Sequence, residues 1–293
     1  MSWSIEGKTV LLTGATSGIG LEAAVALARQ GARVVMVGRD RTKTEATAAG
    51  VSARSGSKDV AHLLCDFSSQ AAIRALAEEV RARFDRLDVL VNNAGGVNKA
   101  RRLTVDGIEA TFAVNHLGYF LLTNLLVDRL VRSAPARVVT VASVGHRRGT
   151  MDFDDLGYAR GYSIMKAYAR SKLANVLFAV ELARRLAGQG VTSNSLHPGA
   201  VDTNIWTGAP LWAKPIIQLL FRPFFITAGQ GGAHLARLVT DPQLEGVTGK
   251  YFEEGKLVDP APLARDEALA RRLWDVSSSM VDLASAPPLP ASA

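Results

Sequence analysis

Along the chain, short runs of consecutive apolar residues alternate with longer stretches whose apolar positions return every third or fourth residue. The runs are "TVLLTG", "RVVMVG", "AHLLCD" and "DVLVNNAG", and the stretches between them predict a helix from about Ile19 to Gln30, one in the forties and one in the seventies. Runs with so little polar alternation suit strands covered on both faces, which implies a parallel sheet with helices on each side. The alternation continues through a long helix around Thr111 to Leu130, the strand "RVVTVAS", a helix carrying "GYSIMKAYARSKLANVLF", the strand "VTSNSLHPG" and a late strand near "GKYFEE". No internal linker or repeat interrupts it. The reading is one α/β domain over 1–284, a doubly wound parallel sheet of about seven strands, followed by a disordered tail at 285–293, "SAPPLPASA", that has almost nothing to bury.

Composition narrows the partners. Lys plus Arg, 34, against Asp plus Glu, 27, gives +7 and a pI near 9.7, which suits an acidic partner such as a nucleic acid, an anionic lipid or a phosphorylated ligand. The basic residues fall in scattered pairs, among them Arg101-Arg102 and Arg184-Arg185, rather than in one stripe, which argues against a nucleic-acid face. Cys65 is the single cysteine, so no intrachain disulfide can form and the chain reads as intracellular and cytoplasmic. The N-terminal "MSWSIEGKTV" has no apolar signal region. His62, His116, His197, His234 and Cys65 show no metal-ligand spacing, so no metal is expected, and His116 reads as structural.

The chemistry begins at "TGATSGIG", between the first strand and the first helix. A strand turning into a helix N-terminus presents free N–H groups and a positive dipole end, and glycines let a pyrophosphate approach the backbone. Gly14, Thr16, Ser17, Gly18, Ile19 and Gly20 are therefore candidate dinucleotide-binding residues.

The spacing Gly-x-x-x-Gly-x-Gly, with "NNAG" at Asn92 to Gly95, a serine closing "TVAS" at Ser143 and a later Tyr-x-x-x-Lys, resembles the short-chain dehydrogenase/reductase family over roughly Gly7 to Glu254. "VNHLGYFLLT", "YARSKLANVLFAVELARRL" and "SLHPGAVDT" are similar to its retinol-dehydrogenase-like branch. The resemblance implies a Rossmann fold and hydride transfer between a nicotinamide and a carbonyl or alcohol of a lipophilic small molecule. It also implies pairing, as homodimer or homotetramer, through the long helices of Asn115 and Tyr168.

Tyr-x-x-x-Lys occurs twice, as Tyr162 with Lys166 and as Tyr168 with Lys172, and spacing alone does not choose between them. The apolar line Leu173, Leu177, Val180 extends upstream toward Lys166 and Tyr162, whereas Tyr168 and Lys172 share a line with Ser171, Asn175 and Ala179, small or polar residues that admit a cofactor. The resemblance agrees, since "YARSKLAN" begins at Tyr168, and Tyr162 is left as a packing or substrate-lining residue. A phenol with reference pKa near 10 needs a cation one turn away to exchange protons near neutrality. Lys172 supplies that cation and, by resemblance, grips the nicotinamide ribose. Ser143 at a strand end would hydrogen-bond the substrate oxygen. Asn115, an asparagine in an apolar helix, is by resemblance the fourth member, holding a water that relays protons to the lysine.

For the rest of the cofactor, Arg39 follows the second strand and favours a 2'-phosphate, hence NADP over NAD, while Asp40 reads as the cap of the next helix. The resemblance places Asp66 and Phe67 beside the adenine, Asn92, Ala94 and Gly95 along the adenosine ribose, and Pro198, Gly199, Val201 and Thr203 at the nicotinamide amide and pyrophosphate. The segment at about 204–228 is where the family puts its substrate lid, and Trp206, Leu211 and Trp212 make it apolar. Its apolar part, Leu211 to Phe225, also suits a subunit contact or a peripheral membrane contact, but charges and prolines break it too often for a span. His146 fits either the substrate pocket or a surface loop, and "GQGG" at Gly229 to Gly232 fits a helix start. A catalytically silent dinucleotide-binding regulator is the competing reading; the presence of Asn115, Ser143, Tyr168 and Lys172 together favours the enzyme.

Overall fold

The computed structural model describes residues 3–200 and 226–283; Val201, Thr203, Trp206, Leu211, Trp212, most of the expected lid and the expected tail lie outside the described residues. The elements run β1 (Thr9–Thr13), α1 (Gly18–Arg29), β2 (Arg33–Gly38), α2 (Arg41–Ser55), β3 (Val60–Leu64), α3 (Gln70–Arg83) and β4 (Val89–Asn92). After β4 come α4 (Ala110–Phe112), a π turn (Ala113–Leu117) and α5 (Gly118–Arg132), which together form one long helix, then β5 (Ala136–Val141). The described chain closes with α6 (Ile164–Arg185), β6 (Val191–His197), α7 (Ala228–Thr240), β7 (Tyr251–Glu253), β8 (Lys256–Leu257) and α8 (Glu267–Met280).

The strands form one sheet in the order β3-β2-β1-β4-β5-β6-β7-β8. The first seven are parallel, as the apolar runs of β1 to β5 predict, and β8 adds an eighth, antiparallel strand beyond the expected seven. Its origin is the turn Glu254-Gly255, whose φ values of 50° and 78° match the tight hairpin turn that requires two left-handed residues. Apolar side chains pack on both sheet faces. Leu90, Val138, Leu173, Leu177 and Trp274 belong to the layer under α3, α5, α6 and α8, and Leu12, Val91, Val139, Leu196 and Leu235 to the layer under α1, α2 and α7. Each such side chain, taken wholly from water, contributes about 1.5–3 kcal/mol before entropy is counted.

Caps set the helix starts that position the site. The Asp40 carboxylate accepts from the Lys43 N–H at 2.8 Å and starts α2, as read from the sequence. Thr227 and Gln230 form a reciprocal capping box at α7, so Gly229 to Gly232 do lie in a helix start. A Cβ on Gly232 would sit 2.8 Å from the Ala23 nitrogen, which explains why α7 needs a glycine where it crosses α1.

The stretch Ala110–Arg132 is apolar enough to cross a membrane, but 72% of its window is buried in the fold, the signature of a core helix. The last helix, α8, packs along α6 and touches the start of the long helix at His116 and Phe120. Trp274 stacks on Phe178 with centroids 5.8 Å apart and meets Phe120 edge-on at 4.8 Å, and His116 Nε2 lies 2.9 Å from Ser277 Oγ.

Candidate active site

Parallel strands deliver their carboxyl ends to one edge, and the switch point between β1 and β4 opens a crevice there. The expected residues gather on that edge: the Gly14 turn after β1, Arg39 after β2, Asp66 after β3, Ala94 and Gly95 after β4, Ser143 after β5 and Pro198 after β6.

At the α1 turn the three glycines have different tasks. Gly14, at φ 65°, would bring a Cβ to 2.6 Å from the Ala94 Cα, and Gly20 would bring one to 2.3 Å from the Gly14 carbonyl oxygen. These two let the turn nest against the end of β4. Gly18, at φ 56°, has nothing within 4 Å of a Cβ and is exposed beside Ser17, whose hydroxyl makes no cap bond. The first N–H groups of α1 therefore face an open cradle. The stitching was missed in the sequence: Asn93 Nδ2 donates to the Thr13 and Gly14 carbonyls at 2.9 and 3.0 Å, and Thr13 Oγ1 accepts from Asn93 and Ala94. The doubled asparagine of "NNAG" was the available signal.

Arg39 is exposed at the end of β2, and Gly38 before it is pressed between Thr16 and Thr44. Asp66 accepts from Ser68 through both the amide and the hydroxyl, at 2.9 and 2.8 Å. Two expected contacts change. Asn92 is wholly buried and turns its Nδ2 to Thr123 Oγ1 at 3.0 Å, so its side chain faces α5 and not the crevice. Phe67 is buried against Gly118, leaving only its main chain on the adenine side.

At the reacting end, Ser143 terminates β5 and its Oγ accepts from the Gly145 N–H at 3.1 Å, which leaves the hydroxyl proton free to donate. A Cβ on Gly145 would lie 3.4 Å from both Ser143 Oγ and the Tyr168 ring, so the serine and the tyrosine flank one glycine. Tyr168 is half-buried; burial raises its phenol above the ordinary value and the neighbouring Ser143 pulls it back down. Lys172 Nζ lies 5.7 Å from the Tyr168 ring centroid and donates to the Val141 carbonyl at 3.0 Å. Burial alone lowers its pKa to about 7.

Asn115 sits in the π turn, a helix irregularity frequent at functional sites. Its amide is fully used: Nδ2 donates to Gly96 O at 2.9 Å and Ser171 Oγ at 3.0 Å, and Oδ1 accepts from Gly96 N at 2.9 Å. Ser171 Oγ in turn donates to the Tyr168 carbonyl at 2.8 Å, so the asparagine links the loop after β4 to the tyrosine's helix.

Tyr162 is not on α6, which begins at Ile164, and its hydroxyl donates to the Asn98 carbonyl at 2.9 Å. His146 is neither substrate-lining nor on the surface. It is 1% exposed, with Nδ1 2.7 Å from Ser143 O and Nε2 accepting from Ala261 N at 3.0 Å. Arg170 was not singled out in the sequence, yet it is 2% exposed, donates to the Thr150 and Asp155 carbonyls and lies 3.7 Å over the Tyr158 ring, pinning the segment before α6. No cluster of metal-binding side chains occurs among the described residues. A cavity of about 460 Å³ at the amino ends of β5 and β6, beside Trp3 and Arg137, lies at the other end of the sheet from this chemistry.

Against known proteins, the short chain dehydrogenase family model matches residues 8–213. Retinol dehydrogenase 14 of Homo sapiens is 44% identical over 294 aligned positions, covering 95% of this chain and 88% of the relative. Among solved structures, an uncharacterized protein from Mycobacterium Paratuberculosis is 33% identical with a TM-score of 0.78, covering 96% of each chain. The RhlG/NADP active-site complex of Pseudomonas aeruginosa is 27% identical with a TM-score of 0.69, covering 91% of this chain and 98% of that one.

Proposed function

The chain belongs to the short-chain dehydrogenase family, NAD(P)-dependent oxidoreductases acting on CH–OH groups, and from that premise we propose that it exchanges hydride between NADP and a carbonyl or alcohol of a lipophilic small molecule, with Tyr168 as general acid and base. The observation that carries the proposal is the meeting of Ser143, Tyr168 and Lys172 at the sheet edge that also holds the open α1 cradle.

The residues present fit the cofactor. Ser17, Gly18 and Ile19 offer N–H groups to a pyrophosphate, Arg39 offers a guanidinium to a 2'-phosphate, and Asp66 and Gly95 line the path between. Asp40 has an oxygen committed to its helix cap, which weakens it as a partner for a 2'-hydroxyl. The NADP in the RhlG complex supports the same choice for this chain. When bound, the nicotinamide supplies or accepts the hydride.

The protein's own groups manage the proton. Ser143 donates its free hydroxyl proton to the substrate oxygen and Tyr168 gives that oxygen a proton in reduction or takes one in oxidation. Lys172 stabilises the phenolate by charge, and acceptors offered to its ammonium by a ribose would offset the burial that lowers its pKa to about 7. Val144 and Met165, apolar and 41% and 53% exposed beside Ser143 and at the start of α6, favour a lipophilic substrate, as does the substrate named in the relative Retinol dehydrogenase 14. On this reading Trp206, Leu211 and Trp212 are the residues that contact the substrate, and the enzyme works in the cytoplasm with peripheral membrane contact.

The test is loss of NADPH absorbance with a panel of lipophilic aldehydes and ketones, retinal included, in the wild type and in Tyr168→Phe. Turnover that disappears in the variant while NADPH still binds is the expected result. Tight NADPH binding without turnover of any panel member would instead favour a silent dinucleotide-binding regulator.

A further inference from the structure

His146 holds two main-chain groups that are far apart in sequence. Its Nε2 accepts from the Ala261 N–H at 3.0 Å, and its Nδ1 lies 2.7 Å from the Ser143 carbonyl oxygen. A backbone N–H can only donate and a carbonyl can only accept, so one neutral tautomer satisfies both: Nε2 bare, Nδ1 protonated. The same carbonyl also accepts from the His146 main-chain N–H at 3.0 Å, which closes the turn that follows β5. The ring is 1% exposed and rests edge-on against Tyr251, with centroids 4.7 Å apart. One residue on, Arg147 bonds Glu253 at 2.7 Å and makes a second tie to the β7–β8 hairpin. Charged and titratable groups surround the ring: Arg147 on its own turn, Glu253 and Tyr251 on β7, and His197 on β6.

We propose that His146 is a positioning residue for this reaction: as the Nδ1–H tautomer it donates to the Ser143 carbonyl and so fixes where the Ser143 hydroxyl points, while its Nε2 holds the loop at Ala261. The anchor matters because Ser143 carries no constraint on its outer side. Its Oγ meets the Gly145 N–H and the Tyr168 phenol, and Gly145 has no side chain to resist a change in the turn. With Tyr168 on the other side of Gly145, a rotation of the Ser143 backbone moves the hydroxyl relative to the phenol, and misplacement by about 1 Å is enough to cost about 100-fold in rate. This rests on the proposed role of Ser143.

Two amides divide the imidazole's two tasks. In His146→Asn the amide nitrogen falls near Nδ1 and keeps the donor to Ser143, while in His146→Gln the carbonyl oxygen reaches toward Nε2 and keeps the acceptor for Ala261. The expected result is that His146→Gln lowers kcat by about 10- to 100-fold with KM for NADPH nearly unchanged and little loss of Tm, whereas His146→Asn loses Tm and retains most of kcat. Equal losses of kcat in both variants, or kcat that follows Tm, would overturn the positioning role. Ser143→Ala serves as the control for the premise: full turnover there removes the proposed role of Ser143, while a dead Ser143→Ala beside a fully active His146→Gln removes only the role of His146. A measurement on the unaltered protein needs no variant to fold. Nitrogen-15 spectra should show His146 neutral with its proton on Nδ1 from about pH 6 to 9, and a proton on Nε2 would refute the assignment.

Discussion

The Tyr162 hydroxyl donates to the Asn98 carbonyl at 2.9 Å, joining the segment before α6 to the loop after β4. Arg101 Nε makes a parallel link to the Gly157 carbonyl at 3.0 Å. Since Asn115 ties the same β4 loop to the helix of Tyr168, these links frame the entrance to the reacting groups. Tyr162, of the first Tyr-x-x-x-Lys, therefore holds these two segments together. Tyr162→Phe should leave kcat within about twofold and raise the KM of the lipophilic substrate several-fold, the loss of one hydrogen bond worth about 1 kcal/mol. Tyr168→Phe should lower kcat by about 100- to 10,000-fold. Steady-state kinetics on both decide it, and a kcat collapse in Tyr162→Phe would reverse the assignment.

Lys172 makes stability depend on pH in a defined direction. Its folded pKa of about 7 lies below the ordinary lysine value of 10.5, so between these values the unfolded chain binds more protons than the folded one. Stability from this group therefore rises with pH from about 7 to about 10, by at most about 1.4 kcal/mol per unit. Urea titrations of the ligand-free protein across that window should show this slope in the wild type and its loss in Lys172→Met. Identical slopes would mean that Lys172 stays charged throughout.

Arg39 is exposed at the nucleotide edge while Asp40 caps α2. Arg39→Asp should move the ratio of NADPH to NADH affinity toward NADH by at least about tenfold, because a carboxylate repels the 2'-phosphate and accepts from a 2'-hydroxyl. Calorimetric titration with each cofactor tests this, and an unchanged ratio would assign the phosphate to another cation.

Trp274 fills the groove between Phe120 and Phe178, with the Arg185 guanidinium 4.3 Å over its ring. Trp274→Ala should cost about 3–5 kcal/mol in chemical denaturation, the usual loss for removing a buried indole. A loss under about 1 kcal/mol would mean that α8 is a loosely held appendage.

The apolar runs made β1 to β5 legible, because a strand buried on both faces has no polar alternation to confuse it with a surface helix. Tyr168 and Lys172 were legible for a local reason: their neighbours Ser171 and Asn175 lie along the same helix line. His146 was not, since the Ala261 amide that fixes it is 115 residues away and no spacing records that contact. Asn92 misled for a related reason: the end of a buried strand points alternately into the crevice and into the core, and its partner Thr123 lies on α5. Arg170 drew no attention in the sequence because its partners, the Thr150 and Asp155 carbonyls, are main-chain groups 20 and 15 residues away.

The packing of α8 along α6 also bears on how the catalytic helix behaves at low concentration. A helix pair completed by a second molecule gains rigidity only above the dissociation constant of that pairing. Here the completing helix is covalently tethered, so Trp274 and Ser277 stay at high effective concentration beside Phe178 and His116 at any dilution. Specific activity measured from nanomolar to micromolar protein tests whether this intramolecular packing is all that the catalytic helix requires.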